Sequence, residues 1–548
     1  MPLTTRILFS TGASGRRRWA VLTSALVLLS TSAVLSAPAA NADPASPAQV
    51  SVDFAQNQGL LRHDERYNNF TAATTWQNPR TADVAYLNDV GLHGSVYRAW
   101  AKVDWCGGST TSCTLSSDPA SPTGDVNGYL ANAATVSDSI LLNLDISPLI
   151  KQGVSPAQAK PLLKQIVKTV KANHPTVRYL EAFNEPDAPD KRGFMNPALV
   201  YPYYADFYQI TNEVNAELKP SSRLQVGGPA FFEFDPVWIG KFLDDYAADP
   251  DRAKRLDFFS YHGYVEFGDM AALQNPQFYK DNPRMVEGQR TELQAMLTAR
   301  HLDPGVPTFI TESGVYPGPL CDDCTDTAPT TTATPWYTTD YVRQAAGQAS
   351  LLYWYANEPK TSTFNWVTRH SGNERKDQFV TRGPGCTSIT AAGGTSTTTT
   401  CPGGPATNAF TPYGNSLLMQ SKMKKTKVSA TSDSLDAKGI GVYALAAKDT
   451  SGASVMVWNY QDTGGTAFHA TIDMANLPPD LGTGCPVRVK VYRVDQNTSN
   501  YYSTPGNTDP AKAELQQVDE RTVVPDKGYT YQADLQPNAI YLILLSRA

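Results

Sequence analysis

Between about Val50 and Lys424, short apolar runs alternate with longer stretches of helical periodicity. This alternation restricts the fold more than any other feature of the chain. Strands that each lead into a helix long enough to cross back over them form a parallel sheet covered by helices, and a closed barrel is its natural form. Candidate strands are Val50 to Phe54, Ser95 to Arg98, Ser139 to Leu144, Val177 to Ala182, Leu224 to Gly228, Leu256 to Tyr261, Pro307 to Thr311 and Thr361 to Trp366. Amphipathic runs between them, such as Pro156 to Ala172, Tyr201 to Leu218, Glu287 to Arg300 and Tyr341 to Tyr355, are of the length a (β/α)₈ TIM barrel needs. Asp322 to Thr334 and Gly383 to Thr407, rich in Thr, Gly, Asp and Pro, read as loops on the face where such barrels build their sites.

After the helix-like Gly414 to Lys424 the pattern changes to strands: Gly439 to Ala446, Ser454 to Tyr460, His469 to Asp473, Val487 to Val494 and Ala539 to Ser546. This is the signature of an antiparallel β-sandwich. A length of 548 residues suits two domains, expected at 43–424 for the barrel and 425–548 for the sandwich. The formal net charge of -6 offers no broad basic surface, so a nucleic-acid partner is not expected.

Residues 1–42 read as an export signal: Arg16 to Arg18 precede an apolar run from Trp19 to Leu35, and Ala40-Asn41-Ala42 offers small residues for cleavage. The arginines suit a twin-arginine or a general secretory route. The expected destination is extracellular, with no membrane anchor after cleavage, because no later stretch reaches the apolar length of a span. In an oxidising compartment Cys106 with Cys113, Cys321 with Cys324, and Cys386 with Cys401 can each close a short loop, leaving Cys485 alone. Zinc at Cys321 and Cys324 would need a second ligand pair that the spacing does not supply.

Two carboxylates stand where strands end: Glu185 after the fourth and Glu312 after the seventh. A barrel would bring together residues that lie 312 − 185 = 127 positions apart. A facing carboxyl pair roughly 5 to 5.5 Å apart is what retaining glycoside hydrolysis requires, with one protonating the leaving oxygen and the other attacking the anomeric carbon. Asn184 would arrive beside Glu185 and donate a hydrogen bond to a sugar 2-hydroxyl. His262 and Tyr264 follow the sixth strand. Tyr264 can donate to an ionised Glu312 and hold its pKa low, while His262 is either a substrate contact or a structural histidine.

At these residues the chain resembles clan A glycoside hydrolases and, within them, glycoside hydrolase family 39, which includes β-xylosidases and α-L-iduronidases. Glu181-Ala182-Phe183-Asn184-Glu185-Pro186 is similar to that family's acid/base strand, and Val226-Gly227-Gly228-Pro229 to its fifth. Asp257 to Tyr264 resembles the sixth strand, Thr311-Glu312 the nucleophile strand, and Val457-Trp458-Asn459-Tyr460 the trailing sandwich. The resemblance implies retention, with Glu185 as acid/base and Glu312 as nucleophile. Arg98 can support Glu312 by charge and keep it ionised, and Trp366 at the eighth strand end is either a stacking platform for a sugar or a core residue. Tyr97-Arg98-Ala99-Trp100 departs from the family's pattern, lacking the histidine expected after the arginine.

The expected protein is a retaining glycosidase acting on plant or microbial oligo- or polysaccharide, exo-acting and β-xylosidase-like or releasing arabinoside or galactoside. An endo-acting glycanase resembling families 5 or 30, and a carbohydrate-binding protein without catalysis, are the alternatives. No cofactor is expected, since two carboxylates and water suffice and no glycine-rich phosphate loop is present. Oligomeric state is not readable.

Overall fold

The computed structural model describes residues 45–62, 66–72, 88, 90–103, 115–116, 126–266, 283–316, 335–369, 380–382, 387–390, 397–400, 408–462, 465–482, 484–500 and 510–548. Eight parallel strands close on themselves: β1 (Arg66–Ala72), β2 (Gly94–Val103), β3 (Ser137–Asp145), β4 (Val177–Ala182), β5 (Gln225–Phe231), β6 (Phe258–Glu266), β7 (Thr308–Tyr316) and β8 (Thr361–Arg369). β1 pairs with both β8 and β2, which seals the barrel. Helices Pro156–Asn173, Pro197–Leu218, Pro236–Ala248, Met285–Ala299 and Pro335–Asn357 separate later strands, at or close to the periodic runs.

The first barrel strand is not the expected one. Ser46–Leu60 belongs to the second sheet, parallel to Phe468–Ala475 and antiparallel to Thr426–Ser432. Ala48, Val50, Val52 and Phe54 are all buried in that sheet's core. Such period-two burial marks a strand with one wet face, whereas a barrel strand is covered on both. The true β1 reads Arg-Tyr-Asn-Asn-Phe-Thr-Ala and carries too little apolar character to stand out. A second correction concerns 383–407, where Thr387–Thr390 and Thr397–Thr400 form an antiparallel hairpin within the expected loop. β-Branched threonines favour that extended pairing.

The second sheet runs in the order Gln516–Val523, Val487–Val494, Ile540–Arg547, Gly452–Tyr460, Gly441–Asp449, Thr426–Ser432, Ser46–Leu60, Phe468–Ala475 and Gly528–Leu535. Its strands therefore come from both ends of the described chain. Alternate residues of Gly452–Tyr460 face two different cores: Val455 and Val457 point into the sandwich, while Met456 and Trp458 point at helix Pro335–Asn357. Trp458 is fully buried, stacks on Tyr443 with centroids 5.1 Å apart, and donates from Nε1 to Ser350 Oγ at 2.8 Å. Replacing it with alanine opens a cavity between the two domains and is expected to cost about 3–5 kcal/mol, read as a lower denaturation midpoint.

Inside the barrel, Val96, Leu141, Phe258, Phe309 and Phe364 form an apolar plug, with Tyr179 packed against it. Phe258 and Phe309 stack at 4.6 Å. Gly227 on β5 makes room for this layer, because a Cβ there would lie 2.2 Å from the Phe258 carbonyl. Two residues further along their strands come Arg98, Asn143, Glu181, Ser260 and Thr311, all buried. The plug supports this polar layer from below and so positions the site.

Among the described residues no helix is long and apolar enough to cross a membrane. The cysteines of the expected pairs, Cys106, Cys113, Cys321, Cys324, Cys386 and Cys401, lie outside the described residues, and Cys485 is a free, half-buried thiol.

Candidate active site

Arg98 on β2 organises the mouth of the barrel. Its guanidinium is fully buried and donates from Nε to Glu181 Oε2 at 2.7 Å, from Nη1 to Glu312 Oε1 at 2.9 Å and from Nη2 to Asn184 Oδ1 at 2.9 Å. A buried guanidinium is tolerable only where carboxylates compensate it, and the planar fork lets one side chain reach three acceptors. Asn143 on β3 adds a bond from Nδ2 to Glu181 Oε2 at 2.8 Å and a second to the Phe183 carbonyl.

Glu312 receives donors on both oxygens: Arg98 on Oε1, and the Tyr264 hydroxyl on Oε2 at 2.8 Å. His262 Nδ1 lies 3.5 Å from Oε2. Tyr264 and Arg98 thus stand where expected, but their net effect differs from the expectation. Burial raises the Glu312 carboxyl above its ordinary range and Glu185 adds to the rise, while His262, Arg98 and Tyr264 pull it back. Desolvation of a carboxylate this deeply enclosed outweighs the donors.

β4 ends differently from its neighbours. Phe183 and Glu185 both adopt left-handed backbone, with φ of 65° and 51°. Such conformations cost non-glycine residues on the order of 1 kcal/mol or more each, and they persist only where the surroundings over-determine them. Here the Phe183 N–H donates to the Leu144 carbonyl at 3.1 Å and the Glu185 N–H to the Ala230 carbonyl at 2.8 Å. The turn presents Glu185 at the mouth with 23% of its side chain exposed. Burial pushes its pKa up to about 7, against the pull of Lys191 and Arg98.

His262 touches both glutamates, with Nδ1 3.0 Å from Glu185 Oε1. Its side chain is wholly enclosed and burial pushes its pKa down to about 4, so the ring is neutral at neutral pH. Nε2 is buried with no hydrogen-bond partner among the described residues, which places the ring proton on Nδ1, where carboxylates accept it. The ring contacts both glutamates, a role that neither substrate contact nor a purely structural histidine describes. Arg98 fixes the Asn184 amide with Oδ1 inward, so Nδ2 is the atom left to donate at the mouth. Trp366 lies on β8 opposite Asn68, and its side chain is outside the described residues.

One oxygen of Glu185, one of Glu312 and a nitrogen of His262 all lie within 4.8 Å of one another. That donor set could be taken for a cation site, but its chemistry opposes one. Both Glu312 oxygens already accept hydrogen bonds, a guanidinium stands 2.9 Å away, and a metal on Nδ1 would force the ring proton onto Nε2, which has no acceptor among the described residues.

Glu181, Asn143, Asp145, Asp187 and Lys191 complete the surroundings, and sequence reasoning assigned them no role. Asp187 is buried, accepts from the Phe232 N–H at 2.6 Å, and is pushed up to about 8 by burial. The available signal was a charged or amide residue at an inward position of an apolar strand, as in Leu142-Asn143-Leu144 and Leu180-Glu181-Ala182.

The closed eight-stranded parallel barrel, joined to a β-sandwich, carries Glu185 three residues past the end of β4 and Glu312 in the middle of β7. No protein-family model and no curated protein matches the sequence. Solved structures match the fold. One is a bacterial orthologue of human α-L-iduronidase, 13% identical over 92% of this chain and 84% of that one, with a TM-score of 0.62. A monomeric β-xylosidase from Caulobacter crescentus is 14% identical over 91% and 99%, with a TM-score of 0.59. A glycoside hydrolase family 39 enzyme from Xanthomonas axonopodis pv. citri is 15% identical over 92% and 98%, with a TM-score of 0.58. The resemblance to family 39 read from the motifs thus extends to the fold as a whole.

Proposed function

We propose that this protein is a retaining glycoside hydrolase, exported after removal of residues 1–42, that releases terminal sugars from plant or microbial oligo- or polysaccharide. The observation that carries the reading is the carboxyl separation. Oxygens of Glu185 and Glu312 within 4.8 Å suit direct attack by one of them, whereas inverting enzymes hold the pair roughly 6.5 to 9.5 Å apart to admit a water. The activities described for the structural neighbours fall in the same chemical class.

In the first step Glu185, protonated up to about pH 7, gives its proton to the glycosidic oxygen. A Glu312 oxygen attacks the anomeric carbon, the carbon–oxygen bond to the leaving group breaks, and a glycosyl ester forms. Attack from Glu312 frees its oxygens from negative charge, and Arg98 then keeps Glu181 as its remaining counter-ion. In the second step Glu185, now ionised, takes a proton from water. The hydroxide displaces Glu312 and yields sugar with its original anomeric configuration. Asn184 Nδ2 supplies a donor to the 2-hydroxyl, where charge develops most. Trp366, in the C-terminal half of β8, is assigned to sugar stacking.

The test is hydrolysis of a panel of 4-nitrophenyl glycosides and plant oligosaccharides by wild type and Glu185→Gln, with the product anomer followed by NMR. One sugar should be released with retention. Glu185→Gln should lose about 10²- to 10⁴-fold on substrates whose leaving group needs a proton, and much less on activated aryl glycosides. An inverted product would overturn the mechanism, and chain shortening without release of a terminal sugar would overturn exo action.

A further inference from the structure

The segment after Glu185 folds back on it. The Ala188 N–H donates to the Glu185 carbonyl at 3.1 Å, and the Lys191 N–H to the Ala188 carbonyl at 2.9 Å. The Lys191 carbonyl then accepts from the Phe194 and Met195 N–H groups at 3.0 and 2.9 Å. This chain of turns brings the Lys191 side chain, 13% exposed, to the inner side of the β4 end. Its ammonium donates to the carbonyl of Asn184, the residue directly before Glu185. It also lies 3.8 Å from Asp145 Oδ2 at the end of β3. Asp145 is itself held by the Ser147 N–H and hydroxyl on Oδ1, so its second oxygen is turned to the cation.

A lysine this enclosed gives up most of its hydration, and a mere structural tie to one carbonyl would not require a charge. We propose that Lys191 is a positioning residue for the acid/base carboxylate, an internal cation that fixes the β4 end through the Asn184 carbonyl and sets the pH at which Glu185 lets its proton go. The proposal rests on the assignment of Glu185 as general acid.

The other groups around Glu185 show why a cation at this place matters. From β2 comes Arg98, from the end of β3 Asp145, from its own loop Asp187 and Asp190, from β6 the neutral His262, and from β7 Glu312. Burial raises the Glu185 carboxyl, and Asp145 and Asp190 raise it further. Lys191 and Arg98 oppose them, Lys191 more strongly. Arg98 is already shared among Glu181, Glu312 and Asn184. Lys191 is therefore the cation whose removal should act on Glu185 without first acting on Glu312. Without it the acid would hold its proton too tightly to donate well and would be a poor base in the second step.

The experiment is the pH dependence of kcat/KM on an unactivated substrate identified by the glycoside panel, for wild type, Lys191→Gln, Lys191→Arg and Asp145→Asn. The wild-type alkaline limb should lie near the Glu185 value of about 7. Lys191→Gln keeps a donor for the Asn184 carbonyl but no charge, and its limb should move up by roughly half to one pH unit. Lys191→Arg keeps the charge and should restore the wild-type limb. Asp145→Asn removes a charge that itself raises Glu185 and also unmasks the cation, so it should move the limb down, and by less when Lys191 is already Gln. A rate loss in Lys191→Gln with an unmoved limb, or a limb that Asp145→Asn leaves in place, would overturn it. Glu185→Gln separates this from failure of the underlying assignment. If that variant retains the wild-type limb, Glu185 is not the acid; if it loses the limb while Lys191→Gln leaves it unmoved, the role of Lys191 alone falls.

Discussion

Glu312→Ala is expected to lower kcat/KM by at least about 10⁴-fold, because Glu185, the other carboxylate of the pair, is committed to protonating the leaving oxygen and leaves no nucleophile for the glycosyl ester. The fold should survive the change. Arg98 loses one acceptor but keeps Glu181 at 2.7 Å and Asn184 at 2.9 Å, so no buried charge is left without compensation. Removing a carboxylate that burial already penalises also offsets part of the lost hydrogen bonding. The truncated side chain leaves space beside the anomeric carbon, and external azide can enter there as the nucleophile while Glu185 still protonates the leaving oxygen. The product should be a glycosyl azide of inverted configuration, formed in one displacement. Product NMR with and without azide, together with circular dichroism of the variant, reads all of this. Near-wild-type turnover in a folded variant would remove Glu312 from the mechanism.

The parts of this site that could be read from the sequence are those where a local pattern and the chemistry coincide. Val177 to Ala182 and Pro307 to Thr311 are apolar runs followed within three residues by a carboxylate, and in a βα repeat such a stop marks the catalytic face. Their structural counterparts, β4 and β7, begin and end within a few residues of those limits. β1 could not be found in this way. Its polar Arg66–Ala72 run looks like a loop, and the cleaner signal just before it belongs to the other sheet. Gln516–Val523 escaped for a related reason, since an edge strand with mostly exposed residues carries no apolar alternation. Lys191 and Asp145 lie 46 positions apart, and nothing in either neighbourhood indicates a shared contact; only the turn after Glu185 creates it.

Arg98→Met should produce the largest loss of stability of any single change at the mouth, about 3–5 kcal/mol at neutral pH. The substitution keeps much of the side-chain volume but removes the charge that Glu181 and Glu312 face. Two enclosed carboxylates would then remain with no guanidinium, and for Glu312, which burial already raises, the cheapest response is to keep a proton. The sign of the pH dependence follows from this. In the variant the folded-state pKa of Glu312, already raised by burial, rises further above that of the unfolded chain, so the fold binds a proton that the unfolded chain releases. The variant's deficit is small below the ordinary carboxyl value of about 4.5 and grows as pH rises through the raised value. Urea unfolding of wild type and variant at pH 5 and pH 8 should therefore show a wider gap at pH 8. Activity should respond in the same direction, since attack needs Glu312 ionised and Arg98 also holds Glu185 down: both limbs of kcat/KM should move up, the acid limb with Glu312 and the alkaline limb with Glu185. A stability gap that is equal at both pH values would mean that Arg98 serves the fold through packing, and that the charge of Glu312 is held by Tyr264 and His262 alone.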